Sequence, residues 1–398
     1  MPVFTFPGQG SQRPGMGAPW RDHPSWELVA EASDASGRDV EHLLLEADAE
    51  ELKQPRNAQL ATFVTSLLAL DAVERVGLSP SACAGHSLGE YTALVATGAL
   101  SFEDGVHIVS ERGDAMQAAA DEHPGTMAAV LGLDDGDVDA ACRRADGDAW
   151  VANYNAPGQT VVAGSHDALE RATTAAKELG AKKVMPIPVG GAFHTPYMAP
   201  ARDRLRKALA NARINAPEVP VVANVDARAH TDAADWEQLL SSQLCSPVRW
   251  HQSISRLAEV DPSNTVFVEL GAGGVLTGLA KRILGKGASA FAVASPQDVD
   301  ALLETLASGA HLQPPVHEGE HLHVHERLVV SPTTGIFEPE PPSDSATAEG
   351  EAIGVGGLLG RVADTEVRSP FAGWLMGMMA MPGERVVVGQ PIAWLRAL

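Results

Sequence analysis

The sequence predicts an α/β protein: a large α/β domain over residues 1–308, a smaller subdomain inserted in it at about 126–192, and a small all-β domain over 328–398. Three observations carry this. Strand-like and helix-like segments alternate through the first three-quarters of the chain. Between Met127 and Val189 the order is strand, helix, strand, strand, helix, strand. After about Ala307 the texture changes to a His-, Pro- and Glu-rich stretch, followed by two similar β units.

Val3-Phe4-Thr5-Phe6 reads as a short buried strand running into Pro7-Gly8-Gln9-Gly10-Ser11-Gln12. Leu60, Phe63, Val64, Leu67, Leu68 and Val73 recur at helical spacing, an apolar stripe. The small residues Ala82-Cys83-Ala84 lead into Gly85-His86-Ser87-Leu88-Gly89, and Glu90 to Thr97 reads as helix. Ser101-x-x-Asp104 opens another helix like a capping box. The inserted subdomain runs Met127–Leu133 (strand), Asp137–Ala145 (helix), Trp150–Tyr154 and Thr160–Ala163 (strands), Asp167–Leu179 (helix) and Lys183–Val189 (strand). That is the split-βαβ, ferredoxin-like order. Val219–Ala223 and Val266–Leu270 are further buried strands, and residues 309–327 read as a linker. In the last domain, Val329 to Phe337 and Glu366 to Leu375 are alike, each followed by a Gly-Glu turn, at Gly350-Glu351 and Gly383-Glu384. Pro341 to Glu349 is a polar insertion between them.

Composition narrows the function. The chain has 398 residues, 45% apolar and 20% charged, enough for folded domains and too little charge for disorder. A net charge of -22 argues against nucleic acid as the main partner. Three cysteines without paired spacing exclude a disulfide scaffold and a cysteine zinc site. The N-terminus lacks a basic segment followed by an apolar one, and no run of 18 apolar residues occurs, so a cytoplasmic protein without a membrane span is expected.

Gly85-His86-Ser87-Leu88-Gly89 matches the G-x-S-x-G nucleophile elbow, in which a serine sits on a sharp strand-to-helix turn and the helix N-terminus favours developing negative charge. Such a serine needs a base, and among 14 histidines composition cannot choose. His86 adjoins Ser87 but should point away as a structural histidine. His194, in Gly191-Ala192-Phe193-His194, lies where the chain leaves the inserted subdomain, either facing a cleft or solvated on a loop. Arg112 falls on the face defined by Val106, Val109 and Met116, where a guanidinium either snorkels outward or forks onto a carboxylate. His317-Glu318-Gly319-Glu320-His321 satisfies H-E-x-x-H, but Pro314-Pro315 and Gly319 oppose the helix that motif requires, so no metal site is expected. Gly8-x-Gly10 and Gly271-Ala272-Gly273-Gly274 do not complete a dinucleotide fingerprint.

From Val3 to about Ile283 the segments resemble the malonyl-CoA:acyl carrier protein transacylase family, including the acyltransferase domains of polyketide synthases. The matching motifs are Phe6-Pro7-Gly8-Gln9-Gly10-Ser11-Gln12, Gly85 to Tyr91, Arg112-Gly113-x-x-Met116-Gln117, Asn153 to Gln159, Gly191 to His194, Pro247-Val248-Arg249-Trp250 and Glu269-Leu270-Gly271, in the family's order. The resemblance implies an α/β-hydrolase-like large subdomain. It implies Ser87 as nucleophile and His194 as base, with the imidazole oriented by a backbone carbonyl at Gln243. It also implies an oxyanion hole from the Gln9 and Leu88 amides, Arg112 clamping the malonyl carboxylate, and Asn155 lining the pocket. Phe193 is the residue type of malonyl-preferring members. Expected partners are malonyl-CoA and an acyl carrier protein, with no resident cofactor. A transferase or editing hydrolase for another acyl group, and a scaffold with a decayed transferase domain, are the alternatives. An acidic carrier meeting an acidic chain requires a local cationic surface, for which Lys182-Lys183, Arg202 to Lys207 and Lys281-Arg282 are candidates.

The C-terminal unit resembles a biotinyl/lipoyl carrier domain, with its Ser-Pro strands, Gly-Glu turns and Gly389-Gln390-Pro391-Ile392. Counting back from Pro370 puts the attachment position of such domains at Val362, and no lysine follows Lys286. The resemblance therefore implies a degenerate module for docking, dimerisation or stability, without biotin or lipoate.

Overall fold

The computed structural model describes residues 2–260, 265–285, 288–308, 326–339 and 352–397. The histidines of the linker (residues 309–325) and the polar insertion Pro341 to Glu349 lie outside them. The chain divides into two compact units, residues 1–72 with 80–308, and residues 73–79 with 309–398.

Among the described residues ten strands serve the first unit: β1 (Pro2–Phe6), β2 (Ala82–Gly85), β3 (Thr126–Leu131), β4 (Ala149–Ala156), β5 (Gln159–Gly164), β6 (Lys183–Ile187), β7 (Val221–Val222), β8 (Ala229–His230), β9 (Val266–Leu270) and β10 (Ser289–Val293). The larger sheet has the order β10-β9-β1-β2-β7-β8. Its pairs are parallel except β7 with β8. Parallel pairing demands crossover connections, and helices supply them. Held between β9 and β2, β1 is buried along Val3, Phe4, Thr5 and Phe6, and its C-terminal edge is where the chain opens into the loop at Pro7–Gly10.

The helix Pro55–Arg75 departs from the one-faced expectation. Beside the predicted stripe it buries Gln59, Thr62, Thr65, Ser66 and Leu70, so that protein surrounds it on every side. Thr65 settles its hydroxyl on the Ala61 carbonyl at 2.8 Å. The helix Phe102–Glu122, capped by Ser101 accepting the Asp104 amide at 3.0 Å, packs closely against it. A Cβ on Gly113 would lie 2.8 Å from the Arg56 Cα, so glycine there lets the two backbones approach and brings Gln59 to Arg112.

The smaller sheet is antiparallel, in the order β4-β5-β3-β6, with the helices Asp135–Arg144 and His166–Glu178 joining its strands in the β-α-β-β-α-β sequence. Its core is Ala128, Val130, Val138, Val151, Val162 and Leu169 with their neighbours. β3 stops at Leu131 rather than Leu133, because Gly132 turns at φ 78° and gives its amide to the Gly158 carbonyl. β6 stops at Ile187 rather than Val189, where Pro188 has no amide to continue a ladder.

Apart from residues 73–79, which include the end of the helix Pro55–Arg75, the second unit is all β among its described residues. Its sheets are β11-β18-β16-β13, formed by Glu326–Val330, Pro391–Ala397, Gly373–Met378 and Ala352–Ile353, and β15-β14-β12-β17, formed by Thr365–Arg368, Leu358–Val362, Gly335–Pro339 and Arg385–Val386. They enclose Val329, Phe337, Leu359, Val362, Leu375, Val386 and Leu395. The suspected internal repeat is visible in the backbone. Ser331 gives its amide to Gln390, takes that of Gly389, and closes its hydroxyl on the Thr333 carbonyl at 2.7 Å. Ser369 does the same with Gly357, Gly356 and the Phe371 carbonyl at 2.6 Å. Val362 is fully buried at the end of β14, and the hairpin tip beyond it is Ala363-Asp364. No helix among the described residues is long and apolar enough to cross a membrane.

Candidate active site

The site starts from a backbone turn. His86 gives its amide to the Phe6 carbonyl at 2.9 Å, which fixes the end of β2 to the end of β1. The chain then turns through Ser87 at φ 53°, a left-handed conformation that an L-residue adopts at a cost. The flanking glycines make room for it. A Cβ on Gly85 would lie 1.8 Å from the Gly89 carbonyl carbon, and one on Gly89 would lie 2.0 Å from the Phe6 oxygen. Gly89→Ala is therefore expected to destabilise the protein by about 3 kcal/mol or more, since backbone rather than a movable side chain blocks the methyl; a thermal melt within a degree of the parent would contradict this.

Behind the turn the helix Gly89–Ala96 is buried along its whole length. Ser87 presents Oγ to His194 Nε2 at 2.7 Å. His194, itself at φ 62°, points Nδ1 at the Gln243 carbonyl, 2.9 Å away. A carbonyl only accepts, so Nδ1 carries the proton and Nε2 is left as the acceptor for the serine hydroxyl. Burial, reinforced by the Arg112 charge, pushes His194 down to about 3, so the imidazole is neutral at pH 7 and able to accept that proton.

Arg112 is 1% exposed, so it forks inward and does not snorkel. Nη2 donates to Ser87 Oγ at 3.1 Å and to Gln243 Oε1 at 3.0 Å, while Nη1 donates to Gln59 Oε1 at 2.5 Å. The guanidinium carbon stands 5.2 Å from the centre of the Tyr91 ring, a cation–π distance. Nε is buried without a hydrogen-bond partner among the described residues. The cation thus sits beside the serine with only neutral partners on its donors, an arrangement that awaits an anion.

The remaining predicted residues divide. Gln243 is present twice, its main chain on His194 and its side chain on Arg112. The loop carrying Gln9 lies against the elbow, where a Cβ on Gly8 would meet the His86 oxygen at 2.4 Å. Among the described residues neither the Gln9 nor the Leu88 amide has a hydrogen-bond acceptor, whereas the Ser87 amide is taken by Asn224 Oδ1. Phe193 is buried, and a Cβ on Gly191 would meet its ring at 2.8 Å. Asn155 accepts from His86 Nε2 at 2.9 Å, which joins the small subdomain to the elbow through the structural histidine. His86 is occupied as expected, with its ring 5.4 Å from that of Trp250. Sequence reasoning missed Gln59 and Asn224, and it gave no role to Glu90 or Tyr91. Only Glu90 and Tyr91 had a signal, their place directly after the elbow. Among the described residues no group of three His, Cys, Asp or Glu side chains could hold a metal ion.

Comparison with known proteins bears on the chain as a whole. The acyl transferase domain family matches residues 3–310. The malonyl CoA-acyl carrier protein transacylase of Escherichia coli K12 is 43% identical over 308 residues, covering 76% of this chain and 98% of that protein. An acyl carrier protein S-malonyltransferase from Vibrio cholerae superposes with a TM-score of 0.72 at 39% identity, covering 76% of this chain and 99% of that one. A malonyl-transacylase solved in complex with its type II PKS acyl-carrier protein superposes with a TM-score of 0.73 at 38% identity, with the same coverage.

Proposed function

The chain belongs to the acyl transferase domain family, and from that premise we propose that it transfers malonyl from malonyl-CoA to the phosphopantetheine thiol of an acyl carrier protein, in fatty acid or polyketide synthesis, through an ester on Ser87. The observation that carries the reading is a buried serine oxygen with a neutral imidazole at 2.7 Å and an arginine at 3.1 Å. His194 takes the Ser87 proton on Nε2 as Oγ adds to the thioester carbonyl. The oxyanion so formed is met by the amides of Gln9 and Leu88, and each such donor is worth ~10²–10³ in rate. Collapse expels the coenzyme A thiolate, which receives the proton from His194. The carrier's thiol then adds to the malonyl ester while His194 takes its proton, and the proton returns to Ser87 as the ester bond breaks. Arg112 holds the malonyl carboxylate throughout and gives up its bond to Ser87 Oγ in exchange.

Incubation with a panel of acyl-CoAs, followed by intact-mass and peptide analysis, tests the reading. Malonyl should accumulate on the peptide containing Ser87 and leave on addition of the holo carrier protein. An adduct elsewhere, or equal labelling by acetyl-CoA, would overturn it.

The carrier's docking surface belongs to the same proposal. Within Arg202 to Lys207, Arg202 pairs with Asp203 and Arg204 with Glu111, which leaves the exposed Arg206 and Lys207. Arg282 is turned onto Gln159 and the Gly158 carbonyl. Charge reversal at the cluster that docks the carrier should raise its KM about tenfold while malonyl-CoA acylation is unchanged; no effect at any of the three clusters would remove the idea. The C-terminal unit is read as a degenerate carrier-like module that docks or stabilises. Its paired Ser331 and Ser369 turns and the tip Ala363-Asp364, where a carrier domain would present its lysine, support this.

A further inference from the structure

Beneath Ser87 lies a set of buried polar groups that the transfer steps above do not use. Glu90, fully buried three residues after the nucleophile, accepts the Asn224 amide on Oε1 at 2.7 Å and the Gln243 side-chain amide on Oε2. Asn224, 1% exposed, spans the elbow: Oδ1 accepts the Ser87 amide at 2.7 Å and Nδ2 donates to the Gly85 carbonyl at 2.6 Å. Gln243 donates also to the Ser87 carbonyl at 2.8 Å, and its own carbonyl orients His194. One carboxylate therefore ties the residue that shapes the nucleophile's turn to the residue that aims the base.

We propose that Glu90 and Asn224 are positioning residues for the transfer: without touching substrate, the carboxylate holds Asn224 and Gln243, and through them keeps Ser87 Oγ and His194 Nε2 in register. The inference rests on the assignment of Ser87 and His194 as nucleophile and base. Both partners of Glu90 are N–H donors, so the ionised form, which only accepts, suits both. A proton would add a donor among donors and weaken an accepted bond, and a buried polar contact of that kind loosens the network it belongs to. Geometry thus predicts that the machinery works with Glu90 ionised. The charged and titratable groups around it are Arg112, which favours the carboxylate, Asp226, which opposes it, Tyr91 beside it on the helix, and His194 beyond Gln243. Burial outweighs the donors and the arginine and pushes Glu90 up to about 7. Activity is therefore lost as pH falls through that value, well above the range where His194 takes up a proton.

The test is Glu90→Gln, which keeps the shape and forces one donor against a donor. Formation of malonyl-Ser87, followed by rapid quench and mass spectrometry, should slow about 10²-fold, with KM for malonyl-CoA within about twofold of the parent. The acid limb expected of the parent near pH 7 should be missing. A rate within about threefold of the parent, a loss confined to KM, or an unchanged acid limb would overturn the proposal. If Glu90→Gln does not fold, Asn224→Ala reads the same linkage and must show the same split between rate and KM. If that also fails, the parent's pH profile decides, and a rate that stays flat down to about pH 5 overturns the proposal. A Ser87→Ala control separates the two levels: an adduct surviving there removes the assignment of the nucleophile, whereas a normal rate in Glu90→Gln with the adduct on Ser87 removes only the positioning role.

Discussion

Ser87→Ala will fold and will carry no malonyl ester. The substitution removes one oxygen from a side chain that is 8% exposed and leaves the elbow's supports in place, because Asn224 and Gln243 hold the backbone of residue 87 and not its hydroxyl. Arg112 keeps Gln59 and Gln243 as acceptors, and His194 keeps the Gln243 carbonyl. A melting temperature close to the parent's is therefore expected. The rate of malonyl transfer should fall about 10⁶-fold, the scale on which loss of a nucleophile acting with its base is felt elsewhere. Since the two groups act as a unit, Ser87→Ala with His194→Ala should be no slower than Ser87→Ala alone. Intact-mass spectra after exposure to malonyl-CoA read the first result, and transfer to holo carrier protein the second. Residual transfer in Ser87→Ala above that of the double variant would mean a route that bypasses the serine.

The elbow was legible in the sequence because its constraints are local: two glycines whose Cβ atoms have no room, and a serine between them at positive φ. Arg112 was legible as an inward residue because helical spacing alone puts it beside Val109 and Met116. The fork onto Gln59, Ser87 and Gln243 was not, since those partners come from three other segments. The choice of His194 among the histidines came from family resemblance. Its bond to Ser87 joins residues 107 apart, and no spacing rule reaches that far. Asn224 was invisible for the same reason: it stands just beyond the two-residue strand β7 and meets Ser87 across 137 positions. Asn155 shows the converse limit. Its motif placed it near the elbow, but which neighbour it touches depends on the orientation of His86. The β-α-β-β-α-β order was readable from alternating patterns, while strand ends drifted by a residue or two where Gly132 and Pro188 set them.

Arg112→Ala should turn an enzyme that selects malonyl into one that no longer distinguishes it from acetyl. In the parent the guanidinium is desolvated and bonded only to neutral oxygens, with a ring face against it, so an entering carboxylate gains charge-assisted bonds that water cannot offset. Truncating one partner of a buried ion pair costs about 2–5 kcal/mol, or roughly 30- to 4000-fold in kcat/KM for malonyl-CoA. Acetyl-CoA presents no anion, so its acylation should hold or rise as the pocket loses a charge it cannot pair. The cation also bears on the base: removing it takes away the largest cause, after burial, that holds His194 far below its ordinary range. Proton abstraction by the imidazole should thus be no worse in the variant, and the malonyl defect should appear in binding and positioning. Arg112→Lys keeps the charge but cannot fork, so it should recover only part of the selectivity. Competition between the two acyl-CoAs, with the Ser87 adducts counted by mass, reads the ratio directly. A malonyl-to-acetyl ratio unchanged in Arg112→Ala would show that the anion is held by another group.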